Sequence, residues 1–372
     1  MTPPRFTSCY LSLGLLTIAC STLAASPTSA PDSTPAAKQA ASASFGAVLQ
    51  GDMPEALHLL SAVPESQYAG KVGTYRACML ERFNRETPPA LVGEVADPFA
   101  HAVLATYQTY WWRALMAPSQ HDAQTAALLP TLRGLIGAPA ADAKDFNALE
   151  PVLDAELRKH GYHALQGVTP PLHELMLWSK QDTREYDVAL PEGTQHVTVN
   201  FLDNFVSKGW SQYGSCGFGG TGGWTDDKAI NALAPEYPDL QDENFLVSLL
   251  GHEAQHFADK QRRWKLEDWE LEYRAKLTEF ALANKTSGKL LQAFGESLSD
   301  DPAAPHPYAN KRVLAALAEQ VRADAKKFVG DDVSGKTETA TDLQAVPLAD
   351  LQNAAREVLV ADTRRRNAVA KP

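Results

Sequence analysis

Apolar residues recur at helical spacing through the first half of the chain. Leu49–Leu60 (LQGDMPEALHLL) carries them three and four residues apart. Phe99–Met116, containing Trp111 and Trp112, and Ala126–Ile136 do the same. Pro88-Pro89 and Gly137-Ala138-Pro139 break the pattern between stretches. A helical region over residues 45–165 follows. Near residue 166 the period changes to two. Tyr186, Val188 and Leu190 alternate with polar residues, and Pro191-Glu192-Gly193 supplies a turn. Val197, Val199 and Phe201 then alternate with His196, Thr198 and Asn200. This predicts a β-hairpin with one buried face. From Asp242, a candidate N-cap, the helical period returns to about Ala283, and helical segments run on to about Val329. Residues 330–342 are polar and predict a loop, and a final amphipathic helix spans roughly Leu348–Arg364. The fold class is α+β and predominantly helical. The helical region comes first, a region over 166–330 with a hairpin or small sheet follows, and 331–372 form a polar loop and C-terminal helix. There is no repeat of fixed period.

The N-terminus is patterned differently. Residues 1–20 read as an export signal: Arg5 gives a positive start and Tyr10–Ala19 (YLSLGLLTIA) a short apolar run. Two cleavage positions stay open. Leu16-Thr17-Ile18-Ala19-Cys20 resembles a bacterial lipobox, which would leave Cys20 as a lipid anchor. Ordinary cleavage near Ala24 or Ala25 would release a periplasmic protein. Residues 21–44 are nearly all Ser, Thr, Ala and Pro, and predict a disordered tether.

Composition sets bounds. A chain of 372 residues, 44% hydrophobic, can build one large domain or two ordinary ones. A net charge of −11 argues against a general nucleic-acid binder. No internal apolar run reaches the roughly 18 residues of a membrane span. In an oxidising compartment Cys78 and Cys216 are either a disulfide or two buried thiols.

The candidate chemistry lies in His252-Glu253-Ala254-Gln255-His256. On a helix, positions i and i+4 share a face, so His252 and His256 can offer two imidazoles to one metal, with Glu253 beside them as a base. Phe245, Leu249, Leu246 and Leu250 run in line with these residues, so the motif continues an apolar face. Zinc needs a further protein ligand. The next helical stretch offers Glu267, Glu270, Glu272 and Glu279. Glu272 is favoured, because Ala275 lets the two helices approach. Glu267 and Glu270 group with Arg274 on a charged, solvated face, and Glu279 is the reserve. Asp259 is either an acceptor for a ligand imidazole or an exposed helix carboxylate.

His252-Glu253-x-x-His256 followed by Glu272-x-x-Ala275 resembles the gluzincin branch of the zincin metallopeptidases. The resemblance covers residues 252–275. It implies a zincin-like domain over 166–330, zinc held by His252, His256 and Glu272, and Glu253 as general base. It further suggests a downstream His or Tyr as oxyanion donor, for which His306 and Tyr308 are the candidates, with Tyr213 behind them. His196–Leu202 would suit the strand along which an extended substrate adds. The reading that results is an exported zinc metallopeptidase acting on a peptide or protein. The alternatives are a non-catalytic envelope protein with a structural zinc, and a helical interaction module whose motif is accidental.

Other motifs carry less. Gly217, Gly219 and Gly222 spell G-x-G-x-x-G, but no strand leads into it and no P-loop Lys follows, so nucleotide binding is rejected. The loop is either a lid bringing backbone amides to a substrate or a mobile connector, with Tyr213 and Trp224 as candidate cleft walls. His173 reads as a structural residue at a helix start. No Gly-x-Ser-x-Gly elbow occurs.

Overall fold

The computed structural model describes residues 32–220, 222–262, 264–329 and 340–369. The export signal, both cleavage positions and Cys20 lie outside the described residues, as do residues 330–339 of the expected polar loop.

Helix α1 (Pro35–Leu49) begins inside the stretch expected to be a tether. Thr34 caps it by accepting from the Ala37 amide, and Ala37, Ala41, Ser44 and Val48 form a buried stripe. Alanine is the strongest helix former, and its small side chain lets a helix lie close on its neighbours. A composition argument that discounts alanine as core misses this. Leu49–Leu60 is likewise two elements: Gly51, at φ +76°, breaks the path before Asp52 caps α2 (Met53–Ser61). Helices α3 (Gly70–Phe83), α4 (Pro98–Met116), α5 (His121–Ile136) and α6 (Phe146–Lys159) complete the group. Asp97 and Asp145 cap α4 and α6.

Strands β1 (His163–Leu165), β2 (Val168–Thr169), β3 (Leu172–His173), β4 (Met176–Leu190) and β5 (Gly193–Lys208) follow. His173 therefore sits in a short strand, stacked 3.8 Å from Phe146, and does not start a helix. The hairpin β4–β5 that the alternation predicted is present, pairs Tyr186 with Val197, and is longer than the pattern showed. Helix α7 (Trp210–Gly214) turns back into the helical core. Trp210, Tyr213, Leu172 and Leu177 are buried with Trp111 and Leu115 there, so this core does not end at residue 165. Tyr213 packs on Phe83 and Trp111 at 5.9 and 5.6 Å, and is no cleft wall.

Strands β6 (Gly223–Thr225) and β7 (Ala229–Leu233) complete a five-stranded sheet in the order β1-β4-β5-β7-β6. Strand β7 runs parallel to β5, and β6 antiparallel to β7 at the margin. Residues 198–202 of β5 are bonded on both sides, so that part of His196–Leu202 does not offer an edge for an added strand. Trp224 on β6 faces Trp178 across 6.5 Å.

Helix α8 (Glu243–Phe245), capped by Asp242, passes through a wide π-helical turn (Leu246–Gly251) into α9 (His252–Gln261). Phe245, Leu249, Leu250 and Ala254 pack on Val197, Val199, Phe201 and Ile230 of the sheet. Burial of a side chain such as Phe245 contributes roughly 1.5–3 kcal/mol. Helices α10 (Asp268–Leu282), α11 (Ser287–Glu296), α12 (Pro305–Val329), α13 (Ala340–Gln344) and α14 (Leu348–Val369) follow. Leu277, Phe280, Leu317 and Leu359 share one core, so the C-terminal helix is integral to the half that contains α10 and α12. No helix among the described residues is long and apolar enough to cross a membrane.

Candidate metal centre

The two histidines are presented by α9 and the carboxylates by α10, which lies alongside it. His252 and His256 are buried, and their rings meet edge to face at 5.0 Å, as i and i+4 positions of one helix should. Helix α10 starts with a reciprocal capping box between Glu267 and Glu270. One turn further, Glu272 faces both imidazoles. Its Oε2 is 3.5 Å from Nε2 of His252, and its Oε1 is 3.4 Å from Nε2 of His256. One ligand atom from each residue lies within 4.8 Å of the others.

This donor set suits a cation. Glu272 Oε2 and His256 Nδ1 are buried without a hydrogen-bond partner among the described residues. Glu272 Oε2 is met instead by ion-pair contacts with His306, His252 and Lys276 at 2.9, 3.5 and 3.9 Å, and a buried carboxylate is costly in a low dielectric unless positive charge meets it. Two imidazoles and one carboxylate form a typical borderline donor set for zinc.

The neighbours set the electrostatics. Glu279 stands behind the metal face, with Oε2 3.3 Å from Nδ1 of His252. It therefore contacts the far nitrogen of His252, away from the point where Glu272 meets both Nε2 atoms. Burial pushes the His252 imidazole down, but hydrogen bonds with Glu272 and Glu279 outweigh it and raise it to about 10. Burial pushes the Glu272 carboxyl up, and the imidazoles of His252, His256 and His306 hold it well below the usual carboxylate range. Lys276 stands 3.9 Å from Glu272 Oε2.

His306, at the start of α12, brings Nδ1 to 2.9 Å from Glu272 Oε2 while its side chain stays 66% exposed. The other candidate donor turns elsewhere. Tyr308 packs on Trp269 at 5.0 Å, and its hydroxyl accepts from Arg312. Asp259 is neither a histidine partner nor an exposed carboxylate: it is fully buried and bound by Arg274 at 2.9 Å. Arg274 is fully buried as well, so it does not join Glu267 and Glu270 on a solvated face.

Tyr237 was not legible in the sequence. It follows β7, and its ring lies 5.6 Å from Phe245. Burial, with the charges of Glu236, Glu253 and Glu279, pushes its phenol up to about 12. Its hydroxyl therefore stays protonated at neutral pH, and it lies against Gly222 of the glycine-rich loop. No spacing rule connects a residue fifteen positions upstream to the motif, since a loop and the π turn intervene.

The glycine-rich loop is tied at both ends. Cys216 forms a disulfide with Cys78 of α3, with Cα atoms 6.2 Å apart, and Phe218 stacks on Tyr75 at 4.2 Å. At the far end a Cβ on Gly223 would stand 2.5 Å from the Asn231 carbonyl and 3.0 Å from Leu249. Only glycine lets β6 approach β7 and the π-helical turn before α9 so closely.

Compared with protein-family models, curated proteins and solved structures, the chain finds no match.

Proposed function

We propose that the chain is an exported, zinc-dependent peptidase of the gluzincin type. One observation carries this reading: His252, His256 and Glu272 converge within 4.8 Å, on two packed helices, with Glu253 on the same helix as both imidazoles. Zinc held there supplies a Lewis acid and lowers the pKa of water towards about 7.

The chain's own groups then have distinct tasks. Glu253 takes the proton of the attacking water and returns it to the leaving amine. The Tyr237 phenol, kept protonated, donates a hydrogen bond to the oxygen on which charge develops. His306, exposed at the rim, is the second donor to that oxygen. Glu279 holds the His252 ring so that Nε2 faces the centre. Three protein ligands leave one coordination position for substrate, which favours catalysis over a purely structural zinc. An accidental motif on an interaction module would not bring a buried carboxylate against both imidazoles.

The disulfide supports export, because such bonds persist in oxidising compartments. The protein is then periplasmic, or tethered through Cys20. Its substrate is a peptide or protein and not a nucleic acid, in keeping with the net charge of −11.

Two measurements test the reading. Protein purified without chelators should retain about one zinc per chain, and less than about 0.2 refutes the metal site. A peptide-library digest should then show cleavage by the native chain. Glu253→Ala should keep the metal and lose turnover by about 10²–10⁴-fold. Equal rates for the two proteins remove Glu253 from the mechanism.

A further inference from the structure

Helices α9 and α10 run antiparallel, and directional bonds join them on both sides of the ligands. His252 meets Glu279 at one end. In the middle Thr278 donates to Gln255 Oε1 at 2.8 Å, and Gln255 donates to Asp259 Oδ1 at 2.9 Å. At the other end Arg274 donates through Nε to Asp259 Oδ2 at 2.9 Å. Asp259 is three residues beyond His256, and Arg274 two beyond Glu272, so this last bond braces the two helices within one turn of both members of the His256–Glu272 pair.

Arg274 is not held by Asp259 alone. Its Nη1 donates to Asp362 Oδ2 at 2.8 Å, and its Nη2 to Glu192 Oε2 at 3.1 Å. Asp362 lies on α14 and Glu192 in the turn between β4 and β5. Arg366 of α14 donates to Asp362 at 2.7 Å and to Glu270 of α10 at 2.9 Å. The guanidinium thus joins the active helix, its partner helix, the C-terminal helix and the hairpin turn. A rigid planar fork can bond three carboxylates at once, and a lysine ammonium on a flexible stem cannot reproduce that geometry.

Apolar packing between two helices tolerates small slides, whereas metal coordination demands ligand distances good to about 0.2 Å. Something directional must set the register. We propose that Arg274 is the positioning residue of the metal centre: braced by Asp362, it fixes the distance between His256 and Glu272 and so sets the metal affinity. This rests on the metal reading above, and makes α14 part of the metal centre's frame although it supplies no ligand.

The test uses the full chain with zinc and, as a spectroscopic substitute, cobalt(II). Asp362→Asn keeps the shape and removes the bracing charge, and Arg274→Lys keeps the charge and removes the fork. Zinc affinity is measured by chelator competition well below each variant's unfolding temperature. Both variants should bind zinc about 10–100-fold more weakly, as loss of an outer support does, and should shift the cobalt visible bands. Should Arg274→Lys fail to fold, Asp362→Asn decides alone. A variant with a lowered Tm, an unchanged cobalt spectrum and a zinc Kd within about threefold of the native value would make Arg274 merely structural and overturn the proposal. A native chain that takes up no metal fails differently, because it removes the metal reading and this inference with it.

Discussion

Glu279 Oε2 lies 3.3 Å from Nδ1 of His252, while Glu272 faces Nε2 of the same ring. One imidazole is held between two carboxylates two helical turns apart on α10. The ring's orientation is fixed from behind, which leaves Nε2 aimed at the centre.

Glu279→Ala should therefore weaken zinc binding by about 10–100-fold without abolishing it, and Glu279→Gln should recover part of the loss. Glu272→Ala should retain no stoichiometric metal. Chelator competition on the three proteins orders them. A zinc affinity for Glu279→Ala equal to the native one would reduce Glu279 to packing.

Tyr237→Phe removes one hydroxyl and leaves the ring against Phe245. Loss of a single oxyanion donor costs about 10²–10³ in kcat. The expected result is that fall in kcat, with KM and metal content close to native. Steady-state kinetics on any peptide found by library digest checks it. An unchanged kcat would move the donor role to His306.

Glu243 supplies the pH dependence. Its carboxylate accepts from the Asn284 and Thr286 amides and from the Thr286 hydroxyl, tying α8 to the loop after α10. Burial pushes this carboxyl up, but hydrogen bonds from Lys285, Thr286 and Asn284 outweigh it and bring it down to about 2, from an ordinary 4.5. A depressed carboxyl stabilises the fold above its unfolded pKa, and the contribution is lost as pH falls through the folded value. The Tm difference between native chain and Glu243→Gln should be full at pH 6 and shrink between about pH 4.5 and 2. A difference constant over that window would show that the charge of Glu243 contributes nothing.

The Cys78–Cys216 bond closes a stretch of 138 residues. Chain entropy then gives it a stabilising effect of roughly 2–5 kcal/mol. The double variant Cys78→Ser, Cys216→Ser should lose that much in urea unfolding. A thiol reductant should lower the native chain to the same level and leave the variant unmoved. Native stability insensitive to reductant would show that the bond does not constrain the fold.

Several elements were legible because they follow from local rules. The hairpin and its buried face follow from alternation of Val197, Val199 and Phe201 with polar neighbours. The placement of His252 and His256 on one face follows from the helical repeat, and Glu272 is favoured because the small Ala275 lets the next helix approach. Other assignments failed for physical reasons. Composition made residues 35–44 look unable to fold, yet Ala37 and Ala41 are buried because small side chains suit a close helix contact. Arg274 looked solvated because charge usually is, yet three carboxylates from distant segments compensate it in the interior.

The amino-acid sequence by itself determined the pairing of His252 and His256 on one helix face, Glu253 beside them, the alternation of the hairpin and the helical character of both ends. These depend on periods of two and 3.6, which neighbours in the chain are enough to establish. Only the tertiary structure decided the roles that need two distant segments to meet. Glu279 came to lie against Nδ1 of His252, Asp259 became the partner of Arg274, and Tyr237 packed on Phe245 beneath the sheet. Cys78 bonded to Cys216, and β5 became an interior strand. Each depends on which helix lies against which, a choice made by packing and by burial of charge across the whole molecule, and no spacing along the chain encodes it.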